Sequence, residues 1–381
     1  MTLAIDGLFD PDRLPRSAAE LRRQHAEGLW LGGQLRLVLG GEDVADAGFG
    51  EARPGEAMTN RRRMLWLSSS KPLTALAILQ LWERGALGLD DRVCDLVPGF
   101  GVGGKEAITL RHLLTHTAGI RMLDTGWPRR SWQEILAVIA ARRIEPGWVP
   151  GHRAGYHTES SWFVLGEVVR RLDGRPIERY LAEEVFGPLG CARSALGLDP
   201  DRYESVAPEL APVFEAGAEG LRELGWSSRA RVVPPSPGAN GWGPMADLGR
   251  FYEMLLGAGE IGGRRLLRPQ TVEAFAARHR VGMYDRTFRT KLDWGLGMIV
   301  NSAHYGDPEL PYGYGPHAGW RTFGHSGARS STAFADPDAR LVVALAVNVL
   351  TEPEVHRARF EKILSAIYED LGLATAMERG S

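Results

Sequence analysis

The sequence predicts an α/β protein of the α+β type, in which an antiparallel sheet is flanked by helices and a mostly helical lobe is inserted. Three patterns indicate this fold class: a strand hairpin over residues 34–48, helical spacing over about 90–280, and strands followed by a helix near the C-terminus. The simplest assembly pairs strands from both chain ends in one sheet. We therefore predict a sheet lobe from residues 1–85 and 285–381, a mostly helical lobe from residues 86–284, and an active site where they meet.

The N-terminal elements follow from local residue patterns. Gly40 and Gly41 separate two short strands, as expected of a hairpin turn. Apolar residues three to four apart then predict a helix buried on one face, beginning near residues 68–70 and ending at Gly85. These apolar residues are Leu73, Ala77, Ile78 and Leu81.

The C-terminal elements form a second hairpin and a final helix. The segments STAFAD and LVVALAVN flank the turn-forming residues 336–339. LVVALAVN is apolar almost throughout, which is typical of a central strand covered on both faces. The terminal segment then predicts a helix with one apolar face. This face comprises Val355, Phe360, Ile363, Leu364, Ile367 and Leu371.

Composition excludes several classes of function. The chain has 381 residues, 44% hydrophobic and 24% charged, as in ordinary globular proteins. Its 45 basic and 47 acidic side chains nearly cancel, so we expect no nucleic-acid partner and no membrane partner. The sequence shows neither a signal peptide nor an apolar run of membrane-spanning length, which predicts a cytoplasmic protein. Cys94 and Cys191 are too few for a disulfide framework and are not spaced as metal ligands.

Two motifs resemble known sites but favour structural roles. His112 and His116 lie four residues apart on a predicted helix, as two metal ligands can, but the metalloprotease glutamate is missing. We favour a packed or helix-capping histidine pair. The segment GHSGA nearly matches the nucleophile elbow of α/β-hydrolases but lacks the second glycine in register, so Ser326 is a poor candidate for a nucleophile.

Lysine is rare in this chain, which draws attention to Lys71. Only four of the 45 basic residues are lysines, and lysine, unlike arginine, can lose its proton in a protein. Lys71 follows Ser68 by three residues at the first turn of the predicted helix, so the two side chains face the same side. A lysine base at pH 7 needs a pKa about three units below its reference value, which burial can achieve. This local evidence leaves two interpretations equally open. Ser68 is a nucleophile with Lys71 as its base, or Ser68 caps the helix and Lys71 lies on the surface.

Five further segments, taken in order, carry a resemblance to a known family. They are MTNRRRMLWLSSSKPLTALAILQLWERGALGLDDRV, ITLRHLLTHTAGI, VFGPLGCARSALG, GANGWGPMADLGRFYEMLLGAGEIGGRRLL and GHSGARSSTAFADPDARLVVALAVN. The chain resembles the serine β-lactamase and penicillin-binding-protein superfamily over about residues 30–370, in particular the class C β-lactamase-like proteins that include family VIII carboxylesterases. This resemblance implies the β-lactamase/transpeptidase-like fold, with Ser68 as the nucleophile and Lys71 as its base partner.

The second element of that family, Tyr-x-Asn, corresponds to Tyr156, His157 and Thr158. The resemblance implies that Tyr156 is a catalytic acid and base. Thr158 stands where the family has an asparagine, whose amide contacts β-lactam and peptide side chains. This departure weakens an antibiotic-hydrolysing role more than it weakens a hydrolase.

The third element, Lys-Thr-Gly or its His-containing variant, corresponds to His325, Ser326 and Gly327. On the family's plan, the backbone amides of Ser68 and Ala328 form the oxyanion hole. We favour a role for His325 as a hydrogen-bond donor at the edge of the site over one that only orients its strand.

Tryptophans lie near several segments expected to border the cleft. They would build a hydrophobic acyl or alcohol pocket, or they are ordinary core aromatics. These residues are Trp66, Trp226, Trp242 and Trp320. Together with the three residues of the third element, we predict that Thr158, Trp242 and Trp320 bind substrate.

These features predict a serine hydrolase that cleaves small carboxylic esters through an acyl-enzyme on Ser68. We expect a small-molecule ester or amide substrate, and neither a metal nor an organic cofactor is implied. Three alternatives stay open: a β-lactamase or D,D-peptidase, an acyltransferase, and a non-catalytic ligand-binding relative. The altered Tyr-x-Asn element is the one feature that favours the last of these.

Overall fold

A computed structural model describes residues 3–217 and 220–374. Its strands, in chain order, are β1 (Ile5–Leu8), β2 (Gly32–Leu39), β3 (Glu42–Arg53), β4 (Glu56–Ala57), β5 (Met64–Leu65), β6 (Ala195–Leu196), β7 (Phe214–Gly217), β8 (Gly220–Glu223), β9 (Gly241–Gly243), β10 (Glu260–Ile261), β11 (Arg264–Arg265), β12 (Tyr284–Asp285), β13 (Thr290–Lys291), β14 (Asp293–Trp294), β15 (Ile299–Val300), β16 (Phe323–Gly327), β17 (Ser331–Asp336), β18 (Leu341–Val347) and β19 (Val349–Leu350). Its α-helices are α1 (Pro15–Ala26), α2 (Lys71–Glu83), α3 (Val93–Leu96), α4 (Leu110–Leu114), α5 (Trp132–Ala141), α6 (Ser160–Asp173), α7 (Ile177–Leu181), α8 (Gly187–Leu189), α9 (Tyr203–Val206), α10 (Arg229–Val232), α11 (Met245–Leu256), α12 (Pro269–Ala276) and α13 (Pro353–Asp370).

One large antiparallel sheet organises the described residues. Its nine strands follow the order β1-β3-β2-β18-β17-β16-β15-β14, with β4 paired to β3. The predicted antiparallel sheet flanked by helices is therefore confirmed. Most helices lie between β4 and β14, where short strands from β5 to β13 accompany them. The division of the chain at residues 85 and 285 stays a prediction.

Both predicted hairpins are present. Leu39 pairs with Glu42, and the two glycines between them have φ values of 61° and 92°. Positive φ at both central positions is the requirement of a type I′ turn, which joins strands with the natural twist of a sheet. In the second hairpin, Asp336 pairs with Leu341.

Strand β18 shows how the core forms on both sides of the sheet. It lies between β2 and β17 and is buried along its whole length, which confirms the predicted central strand. Leu341, Val343 and Leu345 pack into the cluster that contains the apolar face of α13. The alternate residues 342, 344 and 346 are a valine and two alanines, and they pack towards α11. Small side chains on this face allow that helix to approach the sheet closely.

Two predictions about helix faces need correction. Helix α2 is buried on all sides, because every residue of Lys71–Leu81 is inaccessible rather than one face only. The helix packs against the sheet, α6, α7 and α12, so it is the central element that carries the site. In α13, Val355 is 39% exposed, since it lies in the first turn beyond the edge of the core. The described part of the chain contains no helix with both the length and the apolar character needed to cross a membrane.

Candidate active site

Ser68 and Lys71 meet where a 3-10 turn, Leu67–Ser70, leads into α2. Lys71 Nζ lies 2.9 Å from Ser68 Oγ and 2.7 Å from the carbonyl oxygen of Gly238. Ser68 is partly accessible, whereas Lys71 is fully buried. Burial lowers the pKa of Lys71 from 10.5 to about 7, against the opposing effect of the Glu159 carboxylate. The serine is therefore reachable by substrate, and its neighbour can take a proton at neutral pH.

The two serines that follow Ser68 fasten the turn. Ser69 Oγ donates a hydrogen bond to the carbonyl oxygen of His325 on β16 at 3.1 Å. Ser70 Oγ donates to the Leu67 carbonyl oxygen at 2.7 Å and accepts from the Gly241 amide at 3.0 Å. Leu67 has a φ of 50°, a strained value for a leucine, and these bonds hold it there. Ser68 is thus placed for chemistry, whereas Ser69 and Ser70 hold the turn in position.

Gly327 lets β16 approach this turn. A Cβ at this position would collide with the Trp66 carbonyl oxygen and would lie 3.0 Å from the Leu67 Cβ. No side chain larger than that of glycine fits there without moving the turn. The glycine of the third element therefore sets the distance between Ser68 and the Ala328 peptide.

Two backbone amides, those of Ser68 and Ala328, are available beside the nucleophile. Neither donates to another backbone group among residues 3–217 and 220–374. Ala328 follows the last residue of β16, and its side chain is exposed. Free amides at this place can bind a developing oxyanion.

Tyr156 lies at the site with a buried hydroxyl. The residue is 3% exposed, and its hydroxyl has no hydrogen-bond partner among the described residues. Burial raises the pKa of Tyr156 well above 10, although the Ser68 hydroxyl acts to lower it. The two hydroxyls therefore face each other without the geometry of a hydrogen bond. At neutral pH Tyr156 keeps its proton and can donate it.

A buried ion pair positions Tyr156. Asp285 Oδ1 accepts hydrogen bonds from the amides of Tyr156, Thr287 and Phe288 at 3.1, 2.9 and 3.0 Å. Its other oxygen accepts from the Arg280 guanidinium at 3.0 Å, and both side chains are buried. The Phe288 ring then packs on the Tyr156 ring, with centroids 4.8 Å apart. The pair therefore fixes the tyrosine and the 284–291 hairpin relative to each other.

The histidines of the first motif have structural roles, as predicted. His112 forms a capping box with Thr109 at the start of α4. His116 is buried, and its Nδ1 accepts a hydrogen bond from the His157 amide at 2.9 Å. Burial lowers the pKa of His157 to about 3 and that of His116 well below 6.5, so both rings are neutral. The His157 ring stacks on the His116 ring, and the His116 and Tyr156 ring centroids lie 4.7 Å apart.

His325 reaches the site, but its hydrogen-bonding role differs from the expected one. Its ring lies 5.9 Å from the Tyr156 ring, and burial lowers its pKa to about 3. Nδ1 lies 2.9 Å from the Ser326 carbonyl oxygen, which can only accept, so we assign the ring proton to Nδ1. The buried Nε2 has no partner within the described chain. At the site His325 is thus an acceptor rather than the predicted donor.

Within the described residues, neither the Ser326 nor the Thr158 side chain forms a hydrogen bond with Ser68. The Ser326 side chain points to the opposite face of the sheet, where its Oγ donates to Thr332 Oγ1 at 2.9 Å. There it lines a cavity of about 510 Å³ that Ala328, Phe288 and Tyr312 also border. Thr158 is exposed immediately after the buried His157.

The two tryptophans predicted to bind substrate are corrected. Trp242 is fully buried and donates to the Asn240 side chain at 2.9 Å, so it belongs to the core. Trp320 is 52% exposed, but the Arg278 guanidinium covers its ring at 3.7 Å, and it does not border the cavity. The aromatic rings beside the site are instead those of Phe288, Trp294 and Tyr312, which the sequence did not single out.

Comparison with known proteins agrees with this geometry. Residues 19–367 match the family model described as Beta-lactamase. Esterase EstB of Burkholderia gladioli is 28% identical over 80% of this chain and 82% of its own length. Esterase/beta-lactamase LipL of Mycobacterium tuberculosis is 25% identical over 85% of this chain and 78% of its own length.

Solved structures show the same relationship. A family VIII carboxylesterase matches with a TM-score of 0.77 and 26% identity, covering 96% of this chain and 100% of its own. A penicillin-binding protein homolog from Caulobacter crescentus matches with a TM-score of 0.78 and 27% identity over the same shares. The fold and the site define a serine hydrolase of the β-lactamase/transpeptidase-like class. The chain belongs to the beta-lactamase family, which includes esterases and penicillin-binding-protein-like proteins.

Proposed function

We propose that the protein is a carboxylesterase that cleaves small esters through an acyl-enzyme on Ser68. The observation that carries the proposal is the contact of 2.9 Å between Ser68 Oγ and the buried Lys71 amine. With a pKa of about 7, this amine is partly neutral at physiological pH. It can therefore accept the serine proton as Oγ attacks the ester carbonyl carbon.

Acylation then needs a stabilised oxyanion and a protonated leaving group. The amides of Ser68 and Ala328 donate to the carbonyl oxygen as it gains negative charge. Tyr156 donates its proton to the alcohol oxygen as the carbon–oxygen bond breaks, and Lys71 returns the serine proton to Tyr156. The alcohol leaves, and the acyl group remains on Ser68.

Deacylation repeats these steps with water. As the water oxygen attacks the acyl carbon, Tyr156 accepts a proton from water and passes its own proton to Lys71, and the same two amides bind the oxyanion again. Ser68 Oγ leaves with a proton from Lys71, which releases the carboxylic acid. Both half-reactions balance with the ester, one water molecule and these side chains.

Two features favour an ester over a β-lactam. Thr158 lacks the side-chain amide of the family's motif, and it is exposed to solvent. The relative EstB is named an esterase, and LipL is named an esterase/beta-lactamase. These observations support an ester rather than a β-lactam as substrate.

The test is burst-phase hydrolysis of p-nitrophenyl butyrate by the wild type and by Ser68→Ala, with intact-protein mass spectrometry for a butyryl adduct. Ser205→Ala, at an exposed serine on α9, is the matched control. We expect a burst and an adduct in the wild type and control, and neither in Ser68→Ala. Equal turnover by Ser68→Ala and the wild type would exclude Ser68 as the nucleophile. Faster turnover of cephalosporins than of esters would favour the β-lactamase alternative.

A further inference from the structure

Three rings with polar atoms meet beside the nucleophile. The His325 ring centroid lies 5.9 Å from that of Tyr156 and 5.8 Å from that of Tyr312, and the two tyrosine ring centroids are 6.4 Å apart. The three rings therefore form a nearly equilateral triangle, which we call the polar triangle. Its Tyr156 corner faces Ser68, because the Ser68 hydroxyl acts on the pKa of the tyrosine.

Each ring of the polar triangle brings one polar atom without a protein partner. The Tyr156 hydroxyl and His325 Nε2 are both buried, and neither forms a hydrogen bond with the residues that the structure describes. The Tyr312 hydroxyl also forms none within that part of the chain, and Tyr312 is half-buried. Buried polar groups that lack a protein partner usually bind water or a ligand.

The three atoms lie on the same side of the sheet. Because His325 Nδ1 is held 2.9 Å from the Ser326 carbonyl oxygen, Nε2 at the opposite edge of the ring points away from the strand. Burial and, after it, the Lys71 amine lower the pKa of His325, so the ring lies on the side of the catalytic lysine. After burial, the Tyr312 hydroxyl is the next group that raises the pKa of Tyr156, which brings the two hydroxyls near each other.

Tyr312 is held in this position by its surroundings. The Phe288 ring packs on both tyrosines, with its centroid 4.8 Å from that of Tyr156 and 5.2 Å from that of Tyr312. Two residues further on, the buried Tyr314 hydroxyl donates to the Ile299 carbonyl oxygen at 2.9 Å and anchors the loop. Tyr312 has a φ of 56°, a value that residues other than glycine seldom adopt. A strained residue that is packed in this way is often part of a functional site.

The three polar atoms have different hydrogen-bonding roles at neutral pH. Burial lowers the pKa of His325 to about 3, and its ring proton is on Nδ1, so Nε2 can only accept. Burial raises the pKa of Tyr312 to about 12, so this hydroxyl keeps its proton and can donate. The Tyr156 oxygen can accept a hydrogen bond while its own proton passes to Lys71.

We propose that the polar triangle binds the water molecule that attacks the acyl-enzyme. This inference rests on the proposed esterase function. A water molecule has two hydrogens and two lone pairs. It can donate to His325 Nε2 and to the Tyr156 oxygen, accept from the Tyr312 hydroxyl, and keep one lone pair for the acyl carbon. Water thus matches all three polar atoms at once.

The chemical step balances with these groups. A lone pair of the water oxygen forms the bond to the acyl carbon while the O–H bond that faces Tyr156 breaks. Tyr156 takes that proton and gives its own to Lys71, and Ser68 Oγ leaves with the proton from Lys71. His325 and Tyr312 keep their protons and orient the water.

The polar triangle also favours water over an alcohol as the acyl acceptor. An alcohol has one hydroxyl hydrogen, so it cannot donate to both His325 and Tyr156. Its carbon would then face His325 Nε2, which would be left without a partner at a cost in free energy. Hydrolysis is therefore favoured over acyl transfer.

The experiment measures how the acyl-enzyme divides between water and methanol. The enzyme cleaves p-nitrophenyl butyrate at a fixed methanol concentration, and gas chromatography gives the ratio of methyl butyrate to butyrate. Both products come from the same acyl-enzyme, so the ratio does not depend on which step limits turnover. His325→Leu removes the acceptor, whereas His325→Gln keeps one in its side-chain carbonyl group.

A second measurement tests Tyr312. The decay of the butyryl adduct is followed by intact-protein mass spectrometry in the wild type and in Tyr312→Phe. The matched control is Tyr203→Phe, which removes a hydroxyl that donates to the Ser227 carbonyl oxygen from α9.

We expect His325→Leu to raise the ratio of methyl butyrate to butyrate about tenfold, which equals about 1.4 kcal/mol and is the size of one hydrogen bond. His325→Gln should give a ratio closer to that of the wild type. Tyr312→Phe should slow decay of the adduct by a similar factor without slowing its formation. Tyr203→Phe should change neither quantity.

The possible failures are distinguishable. An unchanged product ratio in His325→Leu, or unchanged adduct decay in Tyr312→Phe, would overturn the water site and leave the esterase intact. A wild type that cleaves no ester and forms no adduct would overturn both proposals. Circular dichroism shows whether His325→Leu folds, and if it does not, Tyr312→Phe decides alone.

Discussion

Lys71 Nζ lies 2.9 Å from Ser68 Oγ, yet Ser68 is partly accessible and Lys71 is fully buried. The two residues joined by this hydrogen bond therefore have different properties: Ser68 is accessible, and Lys71 can accept a proton at neutral pH because it is buried. The serine is accessible to a substrate, whereas the amine beside it stays out of water. The low pKa of the amine follows directly from that burial.

The pH dependence of catalysis should therefore report Lys71. We expect kcat/KM for p-nitrophenyl butyrate to rise with pH through about 7, because only the neutral amine accepts the serine proton. Lys71→Arg should lower kcat/KM roughly 100- to 10,000-fold, since arginine does not deprotonate. The measurement is a pH–rate profile from pH 5 to 9. A flat profile in the wild type would contradict the assignment of Lys71 as base.

Lys71 should also lower the stability of the fold. Its pKa is about 7 in the folded chain and 10.5 as the ordinary value, so the unfolded chain binds more protons between these limits. The free energy of unfolding consequently rises with pH between about 7 and 10.5. Below pH 7 burial of the amine destabilises the folded chain most. Lys71→Met should raise the free energy of unfolding by several kcal/mol at pH 7, since each tenfold loss of proton affinity on folding costs on the order of 1.4 kcal/mol.

Denaturant unfolding of the wild type and Lys71→Met at pH 7 and pH 10 measures this effect. The stabilisation should shrink at the higher pH. A methionine variant that is less stable than the wild type at pH 7 would show that the two hydrogen bonds of the amine outweigh its burial.

Tyr156→Phe should discriminate between leaving groups. Phenylalanine keeps the ring that packs on Phe288 but removes the proton donor. Ethyl butyrate has a poor leaving group that needs this proton, so its kcat should fall roughly 100- to 10,000-fold. p-Nitrophenolate leaves without protonation, so acylation by p-nitrophenyl butyrate should fall far less. Single-turnover kinetics with both esters measures the acylation rates. An equal decrease in the rate for both esters would argue against Tyr156 as the acid.

Asp285→Asn should act through Tyr156. The asparagine Oδ1 can still accept from the Tyr156 amide, but the Arg280 guanidinium loses its charged partner inside the protein. Breaking a buried ion pair in this way costs about 3–5 kcal/mol. We expect a lower melting temperature and, in the folded fraction, a lower kcat with little change in the pKa seen in the pH–rate profile. Asp338→Asn, at an ion pair on the surface, is the control.

Local sequence patterns predicted the parts of the site that are close in the chain, and the family resemblance supplied Tyr156 and the Ala328 amide. Ser68 and Lys71 lie three residues apart, so helix geometry alone placed their side chains together. Asp285 could not be found in this way, because its bond to the Tyr156 amide spans 129 residues and depends on the complete fold. Trp242 was misjudged for a related reason. Its position near the cleft in sequence did not show that its side chain is fully buried in the core.

The pairing of β2 with β18 has a consequence for synthesis on the ribosome. Gly40 and Arg340, at the ends of these neighbouring strands, are separated by 300 residues. The hairpin of β2 and β3 therefore emerges with one strand edge that has no partner until about 300 further residues have been translated. Unpaired edges of this kind associate readily with other chains, and distant pairings form slowly. The nascent protein must protect β2 throughout elongation, and translation speed or chaperone supply should limit the yield of folded enzyme.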